Sequence, residues 1–288
     1  MHTEYGKLYI VATPIGNLGD ITLRALETLR EVDLIAAEDT RQTGKLLSHF
    51  QIKKPMLSYY EHNKVQRGPQ IIEKLKAGQN LALVSDAGTP GISDPGADIV
   101  REAIAQGISV TMVPGPVAGI MGLVLSGLDT GRFLFEGFLP EEKKSRFAVL
   151  EQLITEQRTT VLYESPHRIV STLKEMSAVL GEDRRIALCR ELTKIYEEVI
   201  LKTVKNHLED FACRPPRGEY VMVIEGADRQ AVADINRERW ANVPVKEHVE
   251  RLMAEGLSRR DAIKKAAQER GSTRNEIYEM YEHEKTVP

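Results

Sequence analysis

The stretch LALVSDAGTPGISDP, residues 81–95, decides the fold because it combines a strand, a loop and the start of a helix. The apolar run at 81–84 has the length of a strand that is buried on both faces. Asp94 followed by Pro95 predicts an N-cap and a first helical residue. Asp86 then lies at the carboxyl end of the strand, the edge at which open α/β sheets bind ligands.

The charge of Asp86 limits which ligands this loop can take. A carboxylate repels phosphate and suits a ligand that carries amines, hydroxyls or a positive centre. An Asp in such a loop also caps turns, so a purely structural role is the alternative. The segment TPIGNLGD after the first strand is neither a GxGxxG fingerprint nor a Walker sequence, which disfavours the usual phosphate-binding sites.

Composition excludes several classes of protein. The 288 residues are 42% hydrophobic and 28% charged with a net charge of −3, as in a globular protein of two or three domains without a global basic field. Cys189 and Cys213 form no CxxC pair and the seven histidines form no HxxxH, so neither a disulfide framework nor a metal site is expected. With neither a signal peptide nor a membrane-length apolar run evident, a cytoplasmic location is predicted.

Hydrophobic patterning predicts two α/β domains and a helical module, with boundaries at 1–127, 128–228 and 229–288. In the first domain, strands alternate with helices, which favours a parallel sheet in three layers. Asp20 is expected to cap the first helix. In the second domain, the last strands are too closely spaced for a helix each, so its sheet is expected to be partly antiparallel. The predicted strands are 8–13, 34–37, 56–60, 81–84, 109–113, 132–139, 159–163, 185–189, 195–201 and 220–224.

The C-terminal module carries a local excess of positive charge. Two capping-box patterns begin at Ser258 and Thr273, which predicts short helices joined by turns and is compatible with a helix-turn-helix. Between Arg237 and Arg274 there are ten Lys or Arg against six Asp or Glu. This excess suggests a module that faces nucleic acid, and a small helical bundle with solvated charges is the alternative.

Nine motifs occur together in one order along residues 7–226: YIVATPIGNLGDIT, LIAAEDTR, EHN, LVSDAGTPGISDPG, PGP, FEGFLP, YESPHR, CRELTK and GEYVMVIEG. This set resembles the ribosomal small-subunit RNA (cytidine-2′-O)-methyltransferase family, which belongs to the tetrapyrrole-methylase fold class. The resemblance implies two α/β domains with a ligand cleft between them, S-adenosylmethionine (SAM) bound in that cleft, and a homodimer. Its implied substrate is small-subunit (16S) ribosomal RNA, free or in the assembled subunit.

The resemblance also implies which residues meet the cofactor. They follow strand ends in the first domain or lie on strands of the second. The expected cofactor residues are Pro14, Ile15, Gly16, Asp86, Gly88, Thr89, Val117, Ala118, Tyr163, Tyr220 and Val221.

The implied reaction is in-line attack of a ribose 2′-oxygen on the SAM methyl group, for which a general base is useful. Four residues near strand ends are base candidates, and each has a structural alternative, such as pairing with a nearby Arg or capping a turn. The candidates are Glu38, Asp39, His62 and Glu164. Arg41, Arg168 and Lys194 are the candidates for gripping RNA phosphate.

Two other functions stay open at this point. A small-molecule methylase of the same fold, acting on a tetrapyrrole-like ring, would need no basic appendage. A non-catalytic SAM-sensing protein that binds nucleic acid would bind the cofactor without transferring a methyl group.

Overall fold

The computed structural model describes residues 5–286. Its first sheet contains five parallel strands in the order β3-β2-β4-β1-β5, as predicted for this part of the chain. The strands are β1 (Leu8–Val11), β2 (Leu34–Ala37), β3 (Met56–Ser58), β4 (Leu81–Val84) and β5 (Val110–Val113). The helices that follow them are α1 (Leu23–Glu31), α2 (Thr40–His49), α3 (Lys64–Lys76), α4 (Gly96–Ala105) and α5 (Ala118–Leu125).

The central strand β4 shows why these residues form a doubly covered sheet. Leu81 and Leu83 belong to one hydrophobic cluster, and Ala82 and Val84 belong to another. Alternate side chains point to opposite faces of a strand, so each cluster lies on one face. All four residues are buried, as expected for a parallel strand with helices on both sides.

Two predicted helix starts are wrong. Helix α1 is capped by Thr22, whose hydroxyl accepts from the Ala25 amide, because Asp20 lies in a separate 3₁₀ turn, Leu18–Asp20. Helix α4 begins at Gly96, one residue later than predicted. The Asp94 carboxylate accepts instead from the amides of Gly91 and Gly96, at 2.8 and 2.7 Å, and so closes the loop that precedes the helix.

The second sheet is mixed, as predicted, with the order β6-β7-β10-β8-β9. Strand β6 pairs parallel to β7, and the other pairs are antiparallel. Its strands are β6 (Phe133–Phe138), β7 (Thr159–Glu164), β8 (Arg185–Arg190), β9 (Glu198–Thr203) and β10 (Tyr220–Ile224), and its helices are α6 (Lys143–Gln152), α7 (Ile169–Leu180) and α8 (Val204–Cys213).

Strand β9 begins three residues later than predicted because the chain before it makes two consecutive turns. The Lys194 amide donates to the Glu191 carbonyl at 3.0 Å, and the Glu197 amide donates to the Lys194 carbonyl at 3.1 Å. Glu191 and Thr193 both adopt positive φ, which non-glycine residues rarely do. This backbone cannot join a strand until Glu198.

Four further helices follow: α9 (Arg229–Ala241), α10 (Val245–Ala254), α11 (Arg259–Arg270) and α12 (Arg274–Thr286). The capping box predicted at Thr273 is confirmed in full and the one at Ser258 only in half, because the Asp261 carboxylate accepts from the Ser258 hydroxyl and not from its amide. Ser258 accepts from the Asp261 amide, while Thr273 and Glu276 each accept from the other's amide. Val249, Ile263 and Ile277 belong to the hydrophobic cluster that joins the last three helices.

The contacts divide the chain into two compact units. One contains residues up to Phe147 together with Thr159–Glu225, and therefore both sheets. The other contains Ala148–Arg158 together with the residues from Gly226 onward. The domain boundaries after residues 127 and 228 stay predictions. Within the described residues, no helix has both the length and the apolar character that crossing a membrane requires.

Candidate active site

A cavity of about 600 Å³ lies at the carboxyl edge of the first sheet, where it faces the second. Loops after β1, β2, β4 and β5 contribute one wall, and β7, β10 and the loop after β8 contribute the other. Twelve of the eighteen predicted site residues line the cavity: Ile15, Glu38, Asp86, Gly88, Thr89, Val117, Ala118, Tyr163, Glu164, Lys194, Tyr220 and Val221. Pro14, Gly16, Asp39, Arg41, His62 and Arg168 lie outside the lining.

The loops after β1 and β4 are joined directly. Thr13 and Gly88 form an isolated bridge, with amide to carbonyl distances of 2.8 and 3.0 Å. Gly88 has a φ of +79°, and a Cβ there would lie 3.2 Å from Cγ2 of Ile15. Glycine is therefore required both for the backbone conformation and for the close approach of the two loops.

Carboxylates from the loops after β2 and β4 meet at one side of the cavity. The Asp39 amide donates to Oδ1 of Asp86 at 2.9 Å, and the Asp86 amide donates to Oε2 of Glu38 at 3.3 Å. Among the residues described, neither Glu38 nor Asp86 forms an ion pair with a cationic side chain. This side of the cavity therefore carries uncompensated negative charge.

Glu38 feels this environment most strongly. Burial raises the pKa of its carboxyl group, and the nearby charges of Asp86, Asp94 and Asp39 raise it further, against the opposing effect of the Asp86 amide. A carboxylate with a raised pKa is a better proton acceptor at neutral pH than an ordinary one. Glu38 therefore has the environment of a general base.

The other three base candidates have different environments. Hydrogen bonds from Arg41 lower the pKa of Asp39 to about 2, which makes it a weak base. Glu164 accepts from the Ser165 amide at 2.9 Å and from the Thr172 hydroxyl at 2.7 Å, so both of its oxygens are engaged. His62 follows β3 and is absent from the cavity lining.

Helix α5, which follows the first sheet, packs directly against strands of the second sheet beside the cavity. The Tyr163 hydroxyl accepts from the Gly119 amide at 3.1 Å, and the Cys189 thiol donates to the Gly122 carbonyl at 3.6 Å. A Cβ at Gly122 would lie 2.8 Å from Cγ1 of Val221, so this face of the helix lies almost on β10. The two glycines therefore set the separation between α5 and the strands behind it.

Lys194 closes one end of the cavity. Its Nζ lies 3.0 Å from carboxylate oxygens of both Glu191 and Glu219. Its aliphatic chain passes over Gly16, where a Cβ would come within 2.4 Å of Cγ. Burial lowers the pKa of Lys194, but its two carboxylate partners outweigh this effect and raise it overall. Lys194 is therefore fully charged and neutralised by its neighbours.

The sequence reasoning missed several lining residues, among them Ser93, Asp94, Phe138, Cys189 and Glu191. Ser93 and Glu191 have positive φ, which their residue types do not signal. From the sequence, Cys189 is considered only for disulfide or metal pairing and as part of a motif. Burial raises the pKa of its thiol to about 12, so it stays protonated and is no nucleophile.

Comparisons with known proteins agree with this architecture. A sequence model of the tetrapyrrole (corrin/porphyrin) methylases matches residues 7–207. Among solved structures, diphthine synthase superposes with a TM-score of 0.60 at 16% identity, covering 76% of this chain and 89% of that one. Uroporphyrin-III-C-methyltransferase from Thermus thermophilus gives a TM-score of 0.55 at 18% identity over 76% and 94% of the two chains. These two likenesses establish the fold.

Sequence relatives match nearly the whole chain. Ribosomal RNA small subunit methyltransferase I of Synechocystis sp. is 46% identical over 275 residues, 96% of this chain and 97% of the relative. The protein of the same name from Bacillus subtilis is 47% identical over 279 residues, 97% and 95% of the two chains. The chain therefore belongs to the tetrapyrrole methylase family and, within it, to the ribosomal RNA small subunit methyltransferase I proteins.

Proposed function

We propose that the protein transfers the methyl group of SAM to the ribose 2′-oxygen of a cytidine in small-subunit (16S) ribosomal RNA. The observation that carries the choice of substrate is the match to relatives of that name over more than nine tenths of both chains. Ribose 2′-O chemistry on cytidine follows the motif resemblance given above. The residues that line the cavity are independent support for SAM as the cofactor and for Glu38 as the proton acceptor.

The residues present fit SAM as a ligand. A cavity of about 600 Å³ is within the range of about 300 to 1,000 Å³ typical of small-molecule sites. Two of its carboxylates, Glu38 and Asp86, form no ion pair among the described residues, and SAM carries both a sulfonium and an ammonium group. Asp86 would face those positive groups, while Ile15, Val117 and Val221 offer apolar contact. When bound, SAM supplies an electrophilic methyl group and leaves as S-adenosylhomocysteine.

We assign the base to Glu38. Its carboxylate would take the proton of the 2′-hydroxyl as the oxygen–methyl bond forms. The carboxylate then becomes a neutral carboxylic acid and the sulfonium becomes a neutral thioether, so the charges cancel. Position favours it over Asp39 and His62, which lie outside the cavity lining, and free hydrogen-bonding capacity favours it over Glu164. A base of this kind contributes about 10²- to 10⁴-fold to the rate.

Arg41 is the strongest of the three proposed RNA contacts. Its side chain is 88% exposed at the start of α2, beside the loop that holds Glu38. Arg168 donates to the Leu139 carbonyl at 3.1 Å, and Lys194 is held by two glutamates. Arg41 also has a partner, since its guanidinium donates to the Asp39 carboxylate at 2.8 and 3.1 Å. Phosphate would therefore have to compete with an existing partner at all three residues, and the high exposure of Arg41 is what favours it.

The test is transfer of tritiated methyl from SAM to small ribosomal subunits, followed by digestion of the RNA to nucleosides. We expect label in 2′-O-methylcytidine, and loss of both transfer and SAM binding in Asp86→Asn. Asp183→Asn, an exposed carboxylate outside the cavity, is the matched control and should behave as wild type. Label in a base contradicts the ribose assignment. SAM binding without any transfer to RNA contradicts the substrate and favours a small-molecule methylase or a SAM sensor.

We also propose that the protein is a homodimer, as the motif resemblance implies. Helix α5 buries Gly119, Gly122 and Leu123, whereas Ile120 and Val124 on its other side are 44% and 66% exposed. Exposed apolar side chains at this spacing are typical of a surface that a second protein covers. We expect sedimentation to give a dimer for wild type and a monomer for Val124→Glu. A wild-type monomer would contradict the proposal.

A further inference from the structure

The outer surface of α11 contains a hollow built from charged side chains. Arg260 and Lys264, one helical turn apart, line it together with Arg274 at the start of α12 and Asp261. Its volume is about 480 Å³, and all four residues are exposed. The opposite face of α11 is fixed by burial of Ala262, Ile263, Ala266 and Ala267, so the hollow faces away from the helical core.

The three cations of the hollow have no acidic partner among the residues that the structure describes. Asp261, the nearest acid in sequence, accepts from the Ser258 hydroxyl at 2.6 Å within the helix cap. Other arginines of the same helix are engaged differently. Arg259 pairs with Glu282, and Arg270 donates to the Val243 carbonyl at 2.6 Å.

The positions of two of these cations on their helices are unfavourable without a ligand. Arg260 lies in the first turn of α11, and Arg274 is the first residue of α12. A helix N-terminus carries partial positive charge, so a cation there is destabilising and an anion is stabilised. An anion bound in the hollow would relieve this repulsion at both helices.

We propose that this hollow binds the phosphate backbone of the RNA substrate. The inference rests on the proposed function, because it takes ribosomal RNA as the ligand. Arginine forks bind phosphate oxygens in pairs and lysine adds a point charge. A protein partner is disfavoured, because the centre of a protein interface is depleted of charge and no apolar side chain lines this hollow. Contacts of this kind position the RNA without reading its sequence.

The experiment compares full-length wild type with the triple variant R260Q/K264Q/R274Q. Glutamine has nearly the helix propensity of lysine and arginine, so the exposed substitutions leave the helices intact. The control variant R24Q/R30Q/K53Q removes three exposed cations from the other compact unit, none of which forms an ion pair among the described residues. Each protein is assayed for SAM affinity, for kcat, and for KM with small ribosomal subunits over a range of salt concentrations.

We expect the triple variant to raise KM roughly 10- to 100-fold at low salt and to reduce the slope of log KM against log salt by about 2 to 3, since each lost phosphate contact removes roughly 0.7 to 0.9. Its SAM affinity and kcat should equal those of wild type. The control variant should change neither KM nor the slope.

Three results would overturn the inference. The first is an unchanged KM and salt slope in the triple variant. The second is an equal change of KM and salt slope in the control variant, which would show that the effect arises from the net charge of the protein and not from this hollow. The third is a raised KM with an unchanged salt slope, which would indicate a protein partner on the subunit. In each case wild type still methylates the subunit. If wild type itself transfers no methyl group, the proposed function has failed instead.

Discussion

Replacing Gly122 with alanine tests how the two sheets are held together. The added Cβ would lie 2.8 Å from Cγ1 and 3.2 Å from Cβ of Val221, against an ordinary carbon–carbon contact of about 3.5 to 4.0 Å. Val221 is on β10, which pairs with strands on both sides and is buried along its length. The strand therefore cannot retreat, and helix α5 must shift.

The expected free-energy change has two parts. An alanine in place of a helical glycine stabilises by about 0.8 to 1 kcal/mol. Inserting a methyl group into a well-packed contact costs about 1 to 3 kcal/mol. Gly44, inside helix α2, isolates the first part, because a Cβ there would meet only Cε of Met56, at an ordinary contact distance of 3.7 Å. We therefore expect Gly44→Ala to stabilise by about 1 kcal/mol and Gly122→Ala to be about 1 to 3 kcal/mol less stable than that control.

Chemical denaturation of both variants measures this difference, and titration calorimetry with SAM measures its consequence for the site. Val117 and Ala118 at the start of α5 line the cavity, as does Val221, so a displaced helix should weaken binding in Gly122→Ala alone. Equal stabilisation of the two variants would refute the close packing of α5 on β10. Unchanged SAM affinity in a destabilised Gly122→Ala variant would separate that packing from the site.

Three further predictions concern single side chains. Glu38→Gln should lower kcat by about 10²- to 10⁴-fold while SAM still binds. It should also remove the fall in rate at acidic pH, because a general base acts only when ionised and the raised pKa of Glu38 sets where this ionisation occurs; an unchanged fall in rate would exclude Glu38 as the base. Tyr163→Phe should cost about 1 to 3 kcal/mol in a denaturation experiment, since the buried Gly119 amide loses its acceptor; full wild-type stability would show that the amide finds another. Arg146→Met should cost a similar amount at pH 7, because it leaves Glu175 unpaired. The difference in melting temperature between this variant and wild type should shrink in acid. The lowered pKa of Glu175 stabilises the folded protein above the unfolded pKa, and this stabilisation is lost as pH falls through the folded pKa; a difference independent of pH would contradict this.

The sheets were predictable because short apolar runs such as Leu81–Val84, bounded by turn residues, indicate strands that are covered on both faces. The helix starts were less so, because the Asp94-Pro95 pattern is shared by caps and by loops that close on themselves. In this chain the Asp94 carboxylate accepts from the Gly91 amide of the loop as well as from the Gly96 amide, and Pro95 takes the N-cap position of helix α4.

Residues of the site were predictable where a motif follows a strand, and not where partners are distant in sequence. Asp86 and Gly88 follow β4 directly, so their place at the sheet edge follows from the topology. The pairing of Lys194 with Glu219 joins residues 25 positions apart, across strands whose order the sequence does not state. The choice among the base candidates depends on desolvation of Glu38, which is a property of the folded cavity alone.

The same desolvation links cofactor affinity to pH. A cationic ligand beside Glu38 favours the ionised carboxylate and lowers its pKa. Binding must then release protons wherever free Glu38 is partly protonated, so SAM affinity should fall as pH falls through the raised pKa. S-adenosylhomocysteine, which lacks the sulfonium charge, should release fewer protons, and Glu38→Gln should release none from this group.

Calorimetry in two buffers of different ionisation enthalpy counts these protons at mildly acidic pH, where the ammonium groups of both ligands stay charged. Equal proton release for the two ligands would show that the sulfonium does not lie near Glu38, and would place the methyl group away from the proposed base. Greater proton release with SAM would show that the positive sulfur and the proton acceptor lie on the same side of the cavity. In-line transfer to a 2′-oxygen held between them requires this arrangement.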